Sequence, residues 1–217
     1  MPQILSQASS LVSSQPSPHV SPQVSRYHPL LVALHWFLAV LIVAALALGA
    51  LVMAKMPNTD PMKIEALRSH MAGGGAILLL MLIRLFVRTR TTLPAVASAG
   101  HPALDRLAWL SHRLFYPAVL AMAGSGLIMA LQTGLPAIVF GGEGALPADF
   151  WAFPIRTVHY VLSRLLMGLI ALHVVGALYH TLILKDGLLR RMVFGRRILA
   201  GARATPSLDR SLPRRSS

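Results

Sequence analysis

The sequence has no cysteine, which excludes disulfides, iron–sulfur clusters, zinc–thiolate sites and the covalent attachment of c-type haem in one step. Charge is scarce as well. Only 12% of the 217 residues are charged, against 55% hydrophobic, and the mean hydropathy is +0.63. A water-soluble globule spreads its apolar residues over one face of each element, so this composition excludes one. Acidic residues are the rarest charged group: 7 Asp and Glu stand against 20 Lys and Arg, a net charge of +13. Nucleic acid is nevertheless not the partner this excess points to, because many of the positive charges follow the last apolar block, from Lys185 through Arg190, Arg191, Arg196, Arg197 and Arg203 to Arg215. Internal repeats and strand-like alternation are also lacking, and the N-terminus has neither the basic start nor the short apolar core of a secretory signal.

What is present is four long apolar blocks, at about residues 30–53, 66–87, 107–131 and 155–184, each long enough to cross a bilayer. The expected fold is an all-α integral membrane four-helix bundle over residues 26–195. A Ser-, Pro- and Gln-rich N-terminal tail (1–25) and a basic C-terminal tail (196–217) flank it as disordered segments. Four spans put both termini on one side. Arg88, Arg90 and Arg106 in the middle loop, with the basic tail, mark that side as cytoplasmic in a bacterial inner membrane. The segment 132–154 between the third and fourth blocks carries Phe140, Phe150 and Trp151, aromatics that suit a membrane interface.

Six histidines fall within these blocks or at their ends: His35, His70, His112, His159, His173 and His180. An isolated intramembrane histidine often serves only as an interhelical hydrogen-bonding group, but paired ones at matched depths suit axial ligation of haem. His159 and His173 are 14 residues apart, which places them about 21 Å apart along a helix and about 40° from the same face. Two stacked haems, one near each leaflet, fit that spacing. Chain direction then matches His70 with His159 towards the outer side, and His35 with either His173 or His180 towards the inner side; spacing leaves this second choice open.

Gly73 and Gly74 follow His70 by three and four residues, and Gly176 follows His173 by three. Such positions clear the backbone beside a flat macrocycle, and they also suit close helix packing. Arg84, on the face of His70 but 14 residues on, and Arg156, near the outer end, are candidate partners for haem propionates, or else guanidiniums reaching the headgroups. Arg164 lies deeper, with no evident partner.

Several stretches together resemble one family: LHW at 34–36, SHMAGG at 69–74, LSHRLFY at 110–116, GSGLIM at 124–129, and VHYVLSRLLMGLIALHVVGALYH at 158–180 followed by LKDGLLRRM at 184–192. They are similar to the bacterial cytochrome b-561 proteins, four-helix membrane cytochromes with two haems b, and the resemblance covers about residues 25–195. It implies axial ligation by His35, His70, His159 and His173, in the pairs His35/His173 and His70/His159. It also implies superoxide:ubiquinone oxidoreductase activity, with superoxide oxidised outside and ubiquinone reduced near the cytoplasm. His180, Lys185 and His112, with Tyr179 or Arg26, are the candidates for the quinone and proton side. Arg68 and Arg156 are candidates for steering an anion on the outer face. The expected surroundings are membrane lipid and, in a competing reading, a separate dehydrogenase or hydrogenase for which the chain is the electron-transfer and anchor subunit. In a third reading the histidines only join helices.

Overall fold

The computed structural model describes residues 23–95, 98–195 and 199–200. Its frame is four helices. α1 spans Pro29–Ala47 and runs on through a wide π-turn at Leu48–Met53, and α2 spans Met62–Arg90. α3 spans Pro102–Gln132, and α4 spans Pro154–Tyr179 with a second π-turn at His180–Leu184. All four are long and apolar enough to cross a membrane. α2 and α3 extend beyond their apolar blocks by about a turn at one end or both. The added turns carry Lys63, Glu65, Arg88, Arg90, Asp105 and Arg106, which suit headgroup depth while the helical backbone bonds stay internal.

The helix starts follow simple local chemistry. Proline opens α1, α3 and α4, where its missing N–H costs no hydrogen bond. His28 and His101 each precede such a proline, and each accepts a backbone N–H two residues on through Nδ1, at 3.3 Å. These two histidines are thereby accounted for as helix caps.

α1 packs on α2, α2 on α3 and α3 on α4. The mid-bundle core is Leu38, Ile77, Met81, Val119 and Leu166, and a second cluster of Leu67, Ala130, Leu135 and Val139 closes the end that carries the α1–α2 and α3–α4 connections. We call this the hairpin end and the opposite one the terminal end. Val40, Leu79, Phe86, Val175 and Ile183 point outward and are 60–66% exposed, the arrangement of a protein whose solvent is lipid.

The terminal end is stitched by short contacts. β1 (Gln23–Val24) pairs antiparallel with β2 (Leu199–Ala200), Gln23 opposite Ala200 and Val24 opposite Leu199. The sequence carries no strand signal there, because a two-residue pairing has no periodicity and depends on the two chain ends lying side by side. The Arg26 guanidinium donates to the carbonyls of Arg190 and Val193, and the Trp36 indole donates to the Met192 carbonyl at 2.8 Å. Most of the expected tails, 1–22 and 201–217, lie outside the described residues.

Candidate functional site

Four histidines from three helices meet as two pairs. Near the hairpin end, His70 of α2 faces His159 of α4 with ring centroids 6.2 Å apart. Near the terminal end, His35 of α1 faces His173 of α4 at 6.1 Å. An imidazole–metal bond of about 2 Å, plus about 1 Å from nitrogen to ring centre, puts two imidazoles that share one iron about 6 Å apart. Both pairs therefore fit axial ligation of a haem iron. Among the described residues no group of three or more His, Asp or Glu side chains could hold a metal ion.

The space beside the pairs fits a flat group as well. Gly73, Gly74 and Gly176 are only partly exposed, yet a Cβ added at any of them would meet no atom within 4 Å. Two glycines that sequence reasoning passed over do a different job. A Cβ at Gly126 would stand 3.0 Å from His159 Cε1, and one at Gly49 would stand 3.4 Å from His70 Cε1, so a side chain at Gly126 would crowd the His159 ring and one at Gly49 would just touch the His70 ring. Gly49 lies in the π-turn that ends α1, a type of irregularity common at functional sites.

The remaining candidates divide by end. At the terminal end His112 of α3 lies against His173, with centroids 5.1 Å apart, and donates through Nδ1 to the Ala108 carbonyl at 2.7 Å. Phe115 flanks the same ring at 5.4 Å and Trp36 flanks His35 at 5.5 Å. Arg84 reaches the depth of His35 and donates to the Leu31 carbonyl at 2.6 Å, one turn before that histidine.

His180 is turned to another purpose than pairing with His35. Its Nδ1 lies 2.6 Å from Asp186 Oδ2, and it is only 8% exposed. Lys185 makes this contact possible, because its left-handed backbone (φ 51°) ends the π-turn and turns the chain so that Asp186 reaches back. The hydrogen bond from His180, helped by the Leu188 N–H, holds the Asp186 carboxyl below the usual carboxylate range. Asp186 is a residue the sequence reading missed, although it stands in the quoted lysine–aspartate stretch.

At the hairpin end Arg156 stacks over Trp151, 4.5 Å from its centroid, beside an open cleft of about 660 Å³. Met53, Met56, Asn58 and Lys63 line the same cleft. Lys63 is 6% exposed and donates to the Met53 and Met56 carbonyls, tying the end of α1 to the start of α2. Arg68 donates to the Val139 carbonyl and pairs with Glu65, so its guanidinium is already engaged within the fold. Arg164 has the partner that its sequence position left unnamed, stacking over Tyr160 at 4.8 Å.

The sequence profile of the prokaryotic cytochrome b561 family matches residues 26–195, which hold all four helices. The chain belongs to the prokaryotic cytochrome b561 family. It is 28% identical over 172 residues to a protein of Yersinia pestis named probable superoxide oxidase CybB, an alignment that covers 77% of this chain and 96% of that one. It is 27% identical over 176 residues to cytochrome b561 homolog 2 of Escherichia coli K12, covering 77% of this chain and 91% of that one. As a member of the cytochrome b561 family the chain is a multi-pass bacterial membrane protein that binds haem b and transfers electrons.

Proposed function

We propose that this cytochrome b561 holds two haems b and works as a superoxide:ubiquinone oxidoreductase of the inner membrane, with the hairpin end outside and both termini in the cytoplasm. The observation that carries the reading is the pairing of four imidazoles at two depths about 21 Å apart along α4, each pair at the separation one iron needs. The relative named probable superoxide oxidase supports the choice of substrate. Arg88, Arg90, Arg106, Arg190 and Arg191 at the terminal end support the orientation.

His70 and His159 would hold the outer haem and His35 and His173 the inner one, with Gly73, Gly74 and Gly176 leaving room for the macrocycles. Bound there, haem b supplies one-electron carriers on the two sides of the membrane. The reaction balances simply: two superoxide anions lose one electron each and leave as dioxygen, while ubiquinone takes the two electrons and two protons. The Arg156 cation beside the open cleft would raise the local concentration of a small anion. On the inner side, His180 with Asp186 behind it is the proton-donating group for the quinone, and Lys185 and His112 are the neighbouring polar groups. Arg84 and Arg156 are the guanidiniums at the right depths for propionates.

Stopped-flow mixing of the oxidised holoprotein with superoxide tests the reading. Haem reduction within the mixing experiment, followed by reoxidation when ubiquinone is added, is the expected result. Reduction no faster than in a His159→Ala variant would overturn it.

The competing reading is an electron-transfer and anchor subunit of a separate dehydrogenase or hydrogenase. Among the described residues nothing outside the helices forms a domain able to oxidise an organic substrate. Purification in mild detergent separates the two, since a preparation with only this polypeptide and full quinone reductase activity excludes an obligatory partner.

A further inference from the structure

The two histidine pairs are not supported alike, and the difference lies on α3. Ser125 is buried, at 4% exposure, and its Oγ lies 2.8 Å from the Met122 carbonyl and 3.0 Å from His159 Nδ1. A hydroxyl has one hydrogen to give. A carbonyl can only accept, so the Ser125 hydrogen goes to Met122, and the short contact with His159 requires the ring to donate from Nδ1. That assignment leaves the lone pair on Nε2, the nitrogen then available to a metal. Gly126 pins the ring from the same helix, because even a Cβ there would stand 3.0 Å from Cε1.

Among the described residues no side-chain hydroxyl or carboxylate stands on Nδ1 of His35, His70 or His173. The Nδ1 of His70 is buried with only the Ala45 backbone beside it. We propose that Ser125 is a positioning residue for the outer haem: through its hydrogen bond it fixes the tautomer of His159, strengthens that imidazole as a donor and lowers the reduction potential of the outer iron. A ring that gives hydrogen-bond density at Nδ1 donates more strongly at Nε2, which stabilises the ferric state. Lowering the potential on the side where electrons enter, and leaving the inner side untouched, favours their passage inward.

This rests on the two-haem reading above. The competing explanation is that Ser125 merely bonds back to its own helix, as intramembrane serines often do, and that its distance to His159 is incidental.

The test is a potentiometric titration of both haems in the wild-type holoprotein, Ser125→Ala and Ser125→Thr, with the outer haem assigned as the one missing from His70→Ala. The expected result is a positive shift of the outer midpoint in Ser125→Ala, no shift of the inner one, and return towards the wild-type value in Ser125→Thr. Both midpoints unmoved, or both moved equally, would overturn the proposal. If Ser125→Ala did not retain the outer haem, Ser125→Val and Ser125→Thr, similar in volume and differing by the hydroxyl, make the same comparison, and equal outer midpoints in that pair would overturn it. A wild-type protein without two low-spin haems would instead contradict the two-haem reading, so the two failures are distinguishable.

Discussion

The hairpin-end and terminal-end histidine pairs have nearly the same separation, 6.2 and 6.1 Å, but they are built from different materials. Small residues surround the first: Gly49 lies beside His70, Gly126 lies beside His159, and Ser125 holds the latter by a hydrogen bond. Rings surround the second, with Trp36 beside His35 and with His112 and Phe115 beside His173. Backbone contact and a hydrogen bond fix a ring's position and tautomer, whereas edge-on aromatic contacts leave it some freedom to adjust. The terminal end also has the polar groups suited to proton handling, His112 and the His180–Asp186 pair. Under the proposed function, one end would hold a fixed electron carrier and the other would couple electron transfer to protons.

The largest effect that would break this comparison is loss of a ligand. His70→Ala or His159→Ala is expected to remove one haem per chain and leave the terminal-end haem, and His35→Ala or His173→Ala to do the reverse; haem per polypeptide and the redox difference spectrum check it. Loss of both haems from any one of these changes would mean that the two ends are not independent.

Next in size is His180→Ala, expected to keep both haems and to lower quinone reduction by about a hundredfold, the ordinary contribution of a positioned proton donor. Loss of the inner haem in this variant would make His180, rather than His173, the axial ligand.

Gly126→Ala is expected to weaken the outer site by about 1 kcal/mol through overpacking, seen as faster haem loss in denaturant, while Gly49→Ala has less effect because its contact is looser. Equal effects would contradict the tighter hold on His159.

The smallest effect is pH-dependent. Asp186 is held below its ordinary value of 3.8, so its stabilising contact is complete above that value and is lost as the pH falls through the depressed one. Thermal melts of Asp186→Asn and wild type are therefore expected to differ slightly at pH 7 and to converge in strong acid.

Much of the bundle could be read directly, because about twenty consecutive apolar residues leave few alternatives to a membrane helix and four such blocks stand apart in the chain. The depth matching of His70 with His159 followed from helix rise and chain direction. His173 and His180 could not be separated that way, since both lie on nearly one face of α4; the turn at Lys185 that draws His180 towards Asp186 is a backbone detail without periodicity. Ser125, Gly49 and Gly126 escaped notice for a related reason. They act across helices, through contacts that depend on how α1 meets α2 and α3 meets α4, and a glycine or serine within an apolar run looks the same whether it faces lipid, a neighbouring helix or a ligand ring.

The most direct measurement is haem b per polypeptide in the protein purified in mild detergent, with its redox difference spectrum. Two low-spin haems per chain are predicted, one for each imidazole pair. A single haem, still single after reconstitution with excess haem, would contradict the account by leaving one of the two pairs as a packing contact between helices.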